Sequence, residues 1–276
     1  MFGSTVLEVA IGMTFCYGFV GLLVSTLQEA IAAALHLRAR TLLKGIRTML
    51  NDPDFSGLAR NLYAHALVNP RDDGSATDPH ELRHKPSYID PKHFAIALID
   101  TLQTIPGNFE QLGRDIDLVQ DPQVRGALRS MYLRAHGSLP VFQDNAARWF
   151  DNTMERVSGA YKRKSLAISL FISLAIAVAF NIDSVHLFQT LWTQPTLTAQ
   201  LKAMPPTAID GATLASLRTL PVGWQALPVW DTSMLVRLSG WLLTAASSLF
   251  GAPFWFDLFQ RLIHMRGTGD KPGSKP

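Results

Sequence analysis

The sequence predicts an all-α integral membrane protein with three transmembrane helices and a cytoplasmic helical domain between spans 1 and 2. Three observations carry this. Ser165 to Phe180 has no charged residue; it is entered through Lys162, Arg163 and Lys164 and left through Asn181 and Asp183. A segment so apolar and so sharply bounded reads as a span. The 276 residues are 47% hydrophobic and 17% charged, against about 25% charged in an ordinary soluble domain. Finally, 18 of the 25 Lys and Arg and 15 of the 22 Asp and Glu lie between residues 38 and 164. The middle of the chain therefore reads as soluble, with the apolar excess on either side.

Residues 1–37 form the first span. Val6 to Leu27 is long enough to cross a bilayer, and no Lys or Arg precedes Arg38. The stretch thus lacks the basic region of a secretory signal peptide and is expected to be retained. Arg38, Arg40, Lys44 and Arg47 follow on what reads as the same helix. Cations gather on the cytoplasmic side, which places the N-terminus outside. Cys16, the only cysteine, has no partner for an intrachain disulfide and reads as a packing residue.

Residues 38–164 read as a series of short helices. Asp90-Pro91 and Asp121-Pro122 each offer an N-cap followed by proline at the first helical position, with Phe94, Leu98, Leu102 and Val124, Leu128, Met131 at helical spacing behind them. Phe55, Leu58, Leu62, His65 and Ala66 make another apolar set, closed by Asn69-Pro70. Asp, Gly, Ser, Thr and Pro dominate 71–86, a surface loop. Gly137, Ser138 and Pro140 open a juxtamembrane helix, 140–164, striped by Phe142, Ala146, Phe150, Met154 and Val157. Only Gly159 interrupts its run into the membrane, so one continuous rod is expected. No period-2 alternation suggests a strand.

The second span covers 165–185. Sixteen helical residues rise about 24 Å against a hydrocarbon core of about 30 Å, so the span must borrow Asn181 to Val185 or thin the bilayer. Val185 to Trp192 suggests an interfacial helix. Residues 186–232 are Pro-rich and cation-poor and belong outside, with Asp210 capping a short helix through Leu220. The third span covers 233–257, kinked at Pro253. The tail, 258–276, carries Arg261, Arg266, Lys271 and Lys275 and belongs in the cytoplasm. The formal net charge of +3 and the isoelectric point near 9.1 come largely from the membrane-flanking clusters. They are topology signals, so nucleic acid is not an expected partner.

Small residues recur at four-residue spacing on each span: Ala10, Thr14 and Gly18; Ser165, Ser169, Ser173, Ala177 and Asn181; Gly240, Thr244, Ser248 and Ala252. In lipid such faces read as packing seams. The functional alternative is a water or ion path, for which Glu8, Glu29 and Asp257 are the candidate ionisable groups. His80-Glu81-Leu82-Arg83-His84 matches HExxH, which on a helix sets two imidazoles on one face for zinc with the glutamate as base. Pro79 comes immediately before it and Lys85-Pro86 ends any helix after it, one or two turns of surface helix cannot hold ligands rigidly, and the candidates for a third ligand are His93 and Glu110. No P-loop, dinucleotide fingerprint, CxxC pair or nucleophile elbow is present.

Leu37 to Leu42 with Lys44 to Arg47, Lys85 to Ile89, Trp149 to Asp151 with Met154 to Lys164, and Gly251 to Asp257 together resemble a widespread family of uncharacterised bacterial inner-membrane proteins. The resemblance implies an inner-membrane location and carries over no activity, cofactor or site residue. The expected function is a non-enzymatic scaffold or assembly component. Its expected partners are the bilayer, a membrane or cytoplasmic protein, and a second copy of the chain. The alternatives are a membrane-anchored zinc protease through His80, Glu81 and His84, and a small channel or transporter subunit. No catalytic residue is assigned, and zinc enters as a cofactor only under the protease alternative.

Overall fold

The computed structural model describes residues 4–193, 223–224 and 232–267. Among them the chain is all helical: α1 Ser4–Ala34, α2 Leu37–Met49, α3 Leu58–Tyr63, α4 Pro91–Leu102, α5 Phe109–Asp117, α6 Pro122–Arg134, α7 Leu139–Ala179, α8 Ser184–Thr193, α9 Ser233–Ser248 and α10 Gly251–Gly267. The proposed cap at Asp210 and the cations at Lys271 and Lys275 lie outside the described residues. Two compact units emerge, Ala32–Arg163 and Met1–Ile31 with Lys164–Pro276.

In the unit 32–163, N-caps start the helices where the sequence places Asp before Pro. The Asp90 carboxylate accepts from Lys92 N and His93 N, and Asp121 accepts from Val124 N. Asn108 caps α5 at Gln111 N, a helix that sequence reading passes over although Phe109, Leu112 and Ile116 keep its period. The helices bury Ile46, Phe55, Leu62, Phe94, Leu98, Leu128 and Phe142 completely, and Phe94 stacks on Phe150 at 4.2 Å. The apolar set from Phe55 yields only the short α3. Phe55 itself takes a left-handed conformation, and Asp52 gathers the N–H groups of Ser56, Gly57 and Ala59.

Four carboxylates of this unit are held below the usual carboxylate range by the N–H and O–H groups they accept. Thr104 N–H does this first for Asp115, Val124 N–H for Asp121, Thr77 N–H for Glu81 and the Ser75 hydroxyl for Asp73. A depressed folded-state pKa contributes stability that is present above the unfolded value and disappears as pH falls through the folded one. The unit is therefore expected to lose stability progressively below about pH 4, near the ordinary aspartate value. Thermal unfolding of Asp115→Asn should show a shallower acid slope than the parent chain.

Among the described residues α1 is the one helix long and apolar enough to cross a membrane. Two bent pairs pass the same test together, α7–α8 at 51° and α9–α10 at 91°, which makes up to three spans if each pair counts as one. The breaks correct the sequence expectations. First, α1 and α2 are separate helices, because His36 at φ 49° is left-handed. Next, α7 runs through Gly159 as the one rod expected, but it ends at Ala179, inside the 165–185 span; Asn181 at φ 46° turns the chain, and Asp183 caps α8 through Val185 N and His186 N. Lastly, residues 233–257 are not one helix kinked at Pro253. The helix stops at Ser248, Gly251 at φ 80° redirects it, and Pro253 sits in the first turn of α10, where a missing N–H costs nothing.

The small stripes are the contact surfaces. Gly240, Thr244, Ser248 and Ala252 are all buried, as are Ser173, Ala177, Thr14 and Gly18. A Cβ added at Gly21 would lie 3.2 Å from Ala252 N, so α1 meets the α9–α10 turn backbone to backbone. Ser173 bonds Ser248. Replacing both by Leu is expected to cost on the order of 1 to 3 kcal/mol by overpacking, read as lower thermal stability in detergent.

Candidate functional site

Three segments far apart in sequence line one apolar groove of about 370 Å³ in the unit 32–163. Helix α2 supplies Arg38, Thr41 and Leu42, the segment before α4 supplies Ser87, Tyr88 and Ile89, α4 adds its first residue, Pro91, and α7 supplies Phe150, Met154, Val157 and Tyr161. The helical spacing of the last four puts them along one face of α7. Gly45 sets the approach of α2 to α7, since a Cβ there would stand 2.9 Å from Val157 Cγ2. Ile89 anchors its segment in the core, while the neighbouring Tyr88 ring is 72% exposed at the groove. Asp151, Ser158 and Lys162 complete the rim. Each of the three segments stands out in the sequence, but nothing in any of them indicates that they meet.

The HExxH residues are not arranged as a metal centre. Residues 79–81 form a turn and not a helix. His80 lines one cleft with Arg40 and Arg47, and His84 lines another with His36 and His93. The Glu81 carboxylate folds back to accept Thr77 N, Thr77 Oγ1 and Asp78 N. No group of three or more His, Cys, Asp or Glu able to hold a metal ion occurs among the described residues. The surface loop is pinned to the fold. Asn69 Nδ2 donates to His84 O at 2.8 Å, Arg60 Nε donates to Ala76 O, and Ala76 and Leu82 are buried.

The channel candidates do not converge either. Glu29 is exposed, one residue past Gln28, whose amide donates to Ser165 Oγ. Asp257 is exposed on α10, between Trp255, which packs on Tyr17, and Phe259, which packs on Phe15. The Glu8 side chain lies outside the described residues, and Cys16 packs partly buried beside Val20 and Val24. What the sequence reading missed is a buried polar cluster in this unit. Tyr17 OH donates to Ser184 Oγ at 3.0 Å, Ser184 and Thr244 share a hydrogen bond, and Thr244 also bonds Ile182 O. Nearby, Trp241 Nε1 donates to Asn181 Oδ1 and the Asn181 amide donates to Gly223 O. The available signal was Tyr17 inside an apolar run, three residues after Thr14 of the small stripe. These hydroxyls bond one another and the backbone, as a packing seam requires.

No family model, curated protein or solved structure matches the chain.

Proposed function

We propose that the chain is a multi-pass scaffold or assembly protein of a bacterial inner membrane, whose cytoplasmic helices hold a partner protein in the groove between α2 and α7. The carrying observation is the groove itself. Apolar walls from Leu42, Phe150, Met154 and Val157, with an exposed Tyr88 beside them, form a surface fit for the anchoring side chains of an amphipathic helix. Charge at Asp151 and Lys162 on the rim would set its orientation. The mutually bonded hydroxyls of the helix seam support a packed bundle in preference to a conducting path.

In this reading α1 and the α7–α8 pair cross the bilayer with the N-terminus outside and residues 32–163 in the cytoplasm. The contacts of α9–α10 support a dip from the outer side in place of a third crossing. Along α9 they pass from Asp183 at Gly240 to Ser173 at Ser248. Along α10 they return from Gly21 at Ala252, through Gly18 at Trp255, to Phe15 at Phe259. The turn at Gly21 stands seven residues, about 10 Å of helix, short of Gln28 at the Ser165 level. This leads α10 back toward the outer side, against the cytoplasmic C-terminus that its cations suggest.

The groove is tested by placing a photoreactive phenylalanine analogue at Tyr88 in native membranes, with the same analogue at Leu133, 61% exposed on α6, as control. A discrete protein adduct is expected from position 88, absent at 133 and reduced at least tenfold by Met154→Asp. Adducts with lipid alone, or with the chain itself, would contradict the reading.

A further inference from the structure

The cations that follow the first span line a second concavity, distinct from the groove. Arg40, Lys44 and Arg47 stand at i, i+4 and i+7 on α2, along one face of the helix. That face forms one wall of a cleft of about 630 Å³, and His80 and Lys85 come in from the loop. No carboxylate lines it. Among the described residues none of these four Lys and Arg side chains makes an ion pair. Like charges one helical turn apart destabilise a helix, so this wall carries a repulsion that the described protein leaves uncompensated. Arg47 adds an independent sign, because its Nε is buried without any hydrogen-bond partner. A buried guanidinium N–H is normally satisfied.

Four of the neighbouring acids are committed elsewhere. Glu81 is spent on Thr77 and Asp78, and Asp78 Oδ1 accepts from His80 N. At the Asn51 edge, Asp121 caps α6 and Asp52 holds three N–H groups of its own loop. A purely topological role for the α2 cations would be met on any solvated surface. It would not require a loop some forty residues further on to bring Lys85 and His80 to the same cleft, held there by the Asn69–His84 hydrogen bond.

We propose that this cleft binds a phosphate-bearing anion. The guanidinium forks of Arg40 and Arg47 suit two-point contact with phosphate oxygens, with Lys44 and Lys85 as point charges and His80 as a further donor. The ligand is the headgroup of an anionic phospholipid or a free phosphate compound, sources that share this chemistry. The site stands apart from the partner groove and does not depend on it.

The test uses the full chain in phosphatidylcholine nanodiscs, titrated calorimetrically with inorganic pyrophosphate, alongside native mass spectrometry of the chain extracted from phosphatidylcholine vesicles with and without cardiolipin. Saturable pyrophosphate binding marks a free phosphate ligand, and stoichiometric retained cardiolipin marks a lipid headgroup. Either is expected to weaken at least tenfold in Arg47→Gln and in Lys44→Gln with Lys85→Gln, and to weaken with added salt. The double variant changes an exposed and a half-buried side chain and so guards against a folding failure in Arg47→Gln. Lys92→Gln, an exposed cation outside the cleft and the groove, is expected to bind as the parent does. No binding of either probe, or an equal loss in Lys92→Gln, would overturn the proposal.

Discussion

Gly240→Ala is expected to destabilise the membrane unit by about 2 to 5 kcal/mol, the sum of overpacking and a lost helix cap. A methyl group at 240 would stand 1.7 Å from Asp183 Oδ1 and 2.4 Å from its Cγ, so the carboxylate must leave. Asp183 is buried, and it accepts Val185 N at 2.8 Å and His186 N at 3.1 Å. Driving it out strips the start of α8 of its cap where little water can replace it. Ser184, next to it, loses its registration with Tyr17 and Thr244. Asp183→Ala alone should cost less, since it opens space without a clash. The double variant should cost little more than Asp183→Ala, because the methyl then has nothing to strike. Thermal unfolding of the four chains in one detergent checks the cycle, and additive losses would show that the clash is relieved some other way.

Asp52→Ala is expected to cost about 2 to 4 kcal/mol in the unit 32–163. Its carboxylate takes Ser56 N and Gly57 N at 2.9 Å and Ala59 N at 3.1 Å. Hydrogen bonds to a charged group are worth about 1.5 to 3 kcal/mol, and orphaned N–H groups add their own desolvation cost. The loop they secure passes through two left-handed residues, Asn51 and Phe55, and delivers the Phe55 ring fully into the core. Without the carboxylate, that backbone has little to hold it. Asp52→Asn keeps an acceptor oxygen and should fall between parent and alanine. Denaturant unfolding of the full chain, followed by a probe in this unit, measures the series.

These two sites also show where the sequence was legible. The Asp-Pro caps at 90 and 121 and the apolar runs of α1 and α7 announce themselves locally, because caps and periods are set by neighbouring residues. The breaks do not. His36 and Asn181 adopt left-handed conformations that their residue types only weakly favour, and Pro253 drew attention from Gly251, two residues earlier, where the chain turns. Asp52 carries no local mark either, since its partners lie across a turn. The groove and the basic cleft depend on meetings between α2, the 79–91 segment and α7 that no local pattern encodes. His80 and His84 illustrate the converse. Their spacing matches a zinc motif, but the turn at 79–81 sends them to different clefts.

The partner groove requires residues 32–163 to face the cytoplasm, and cysteine accessibility tests that placement most directly. In a Cys16→Ser background the chain has no thiol, and Ser75→Cys puts one on the exposed 71–86 loop. A membrane-impermeant maleimide should leave position 75 unlabelled in cells whose inner membrane is intact and label it fully after lysis. Labelling in intact cells would put the helical unit outside and contradict the account.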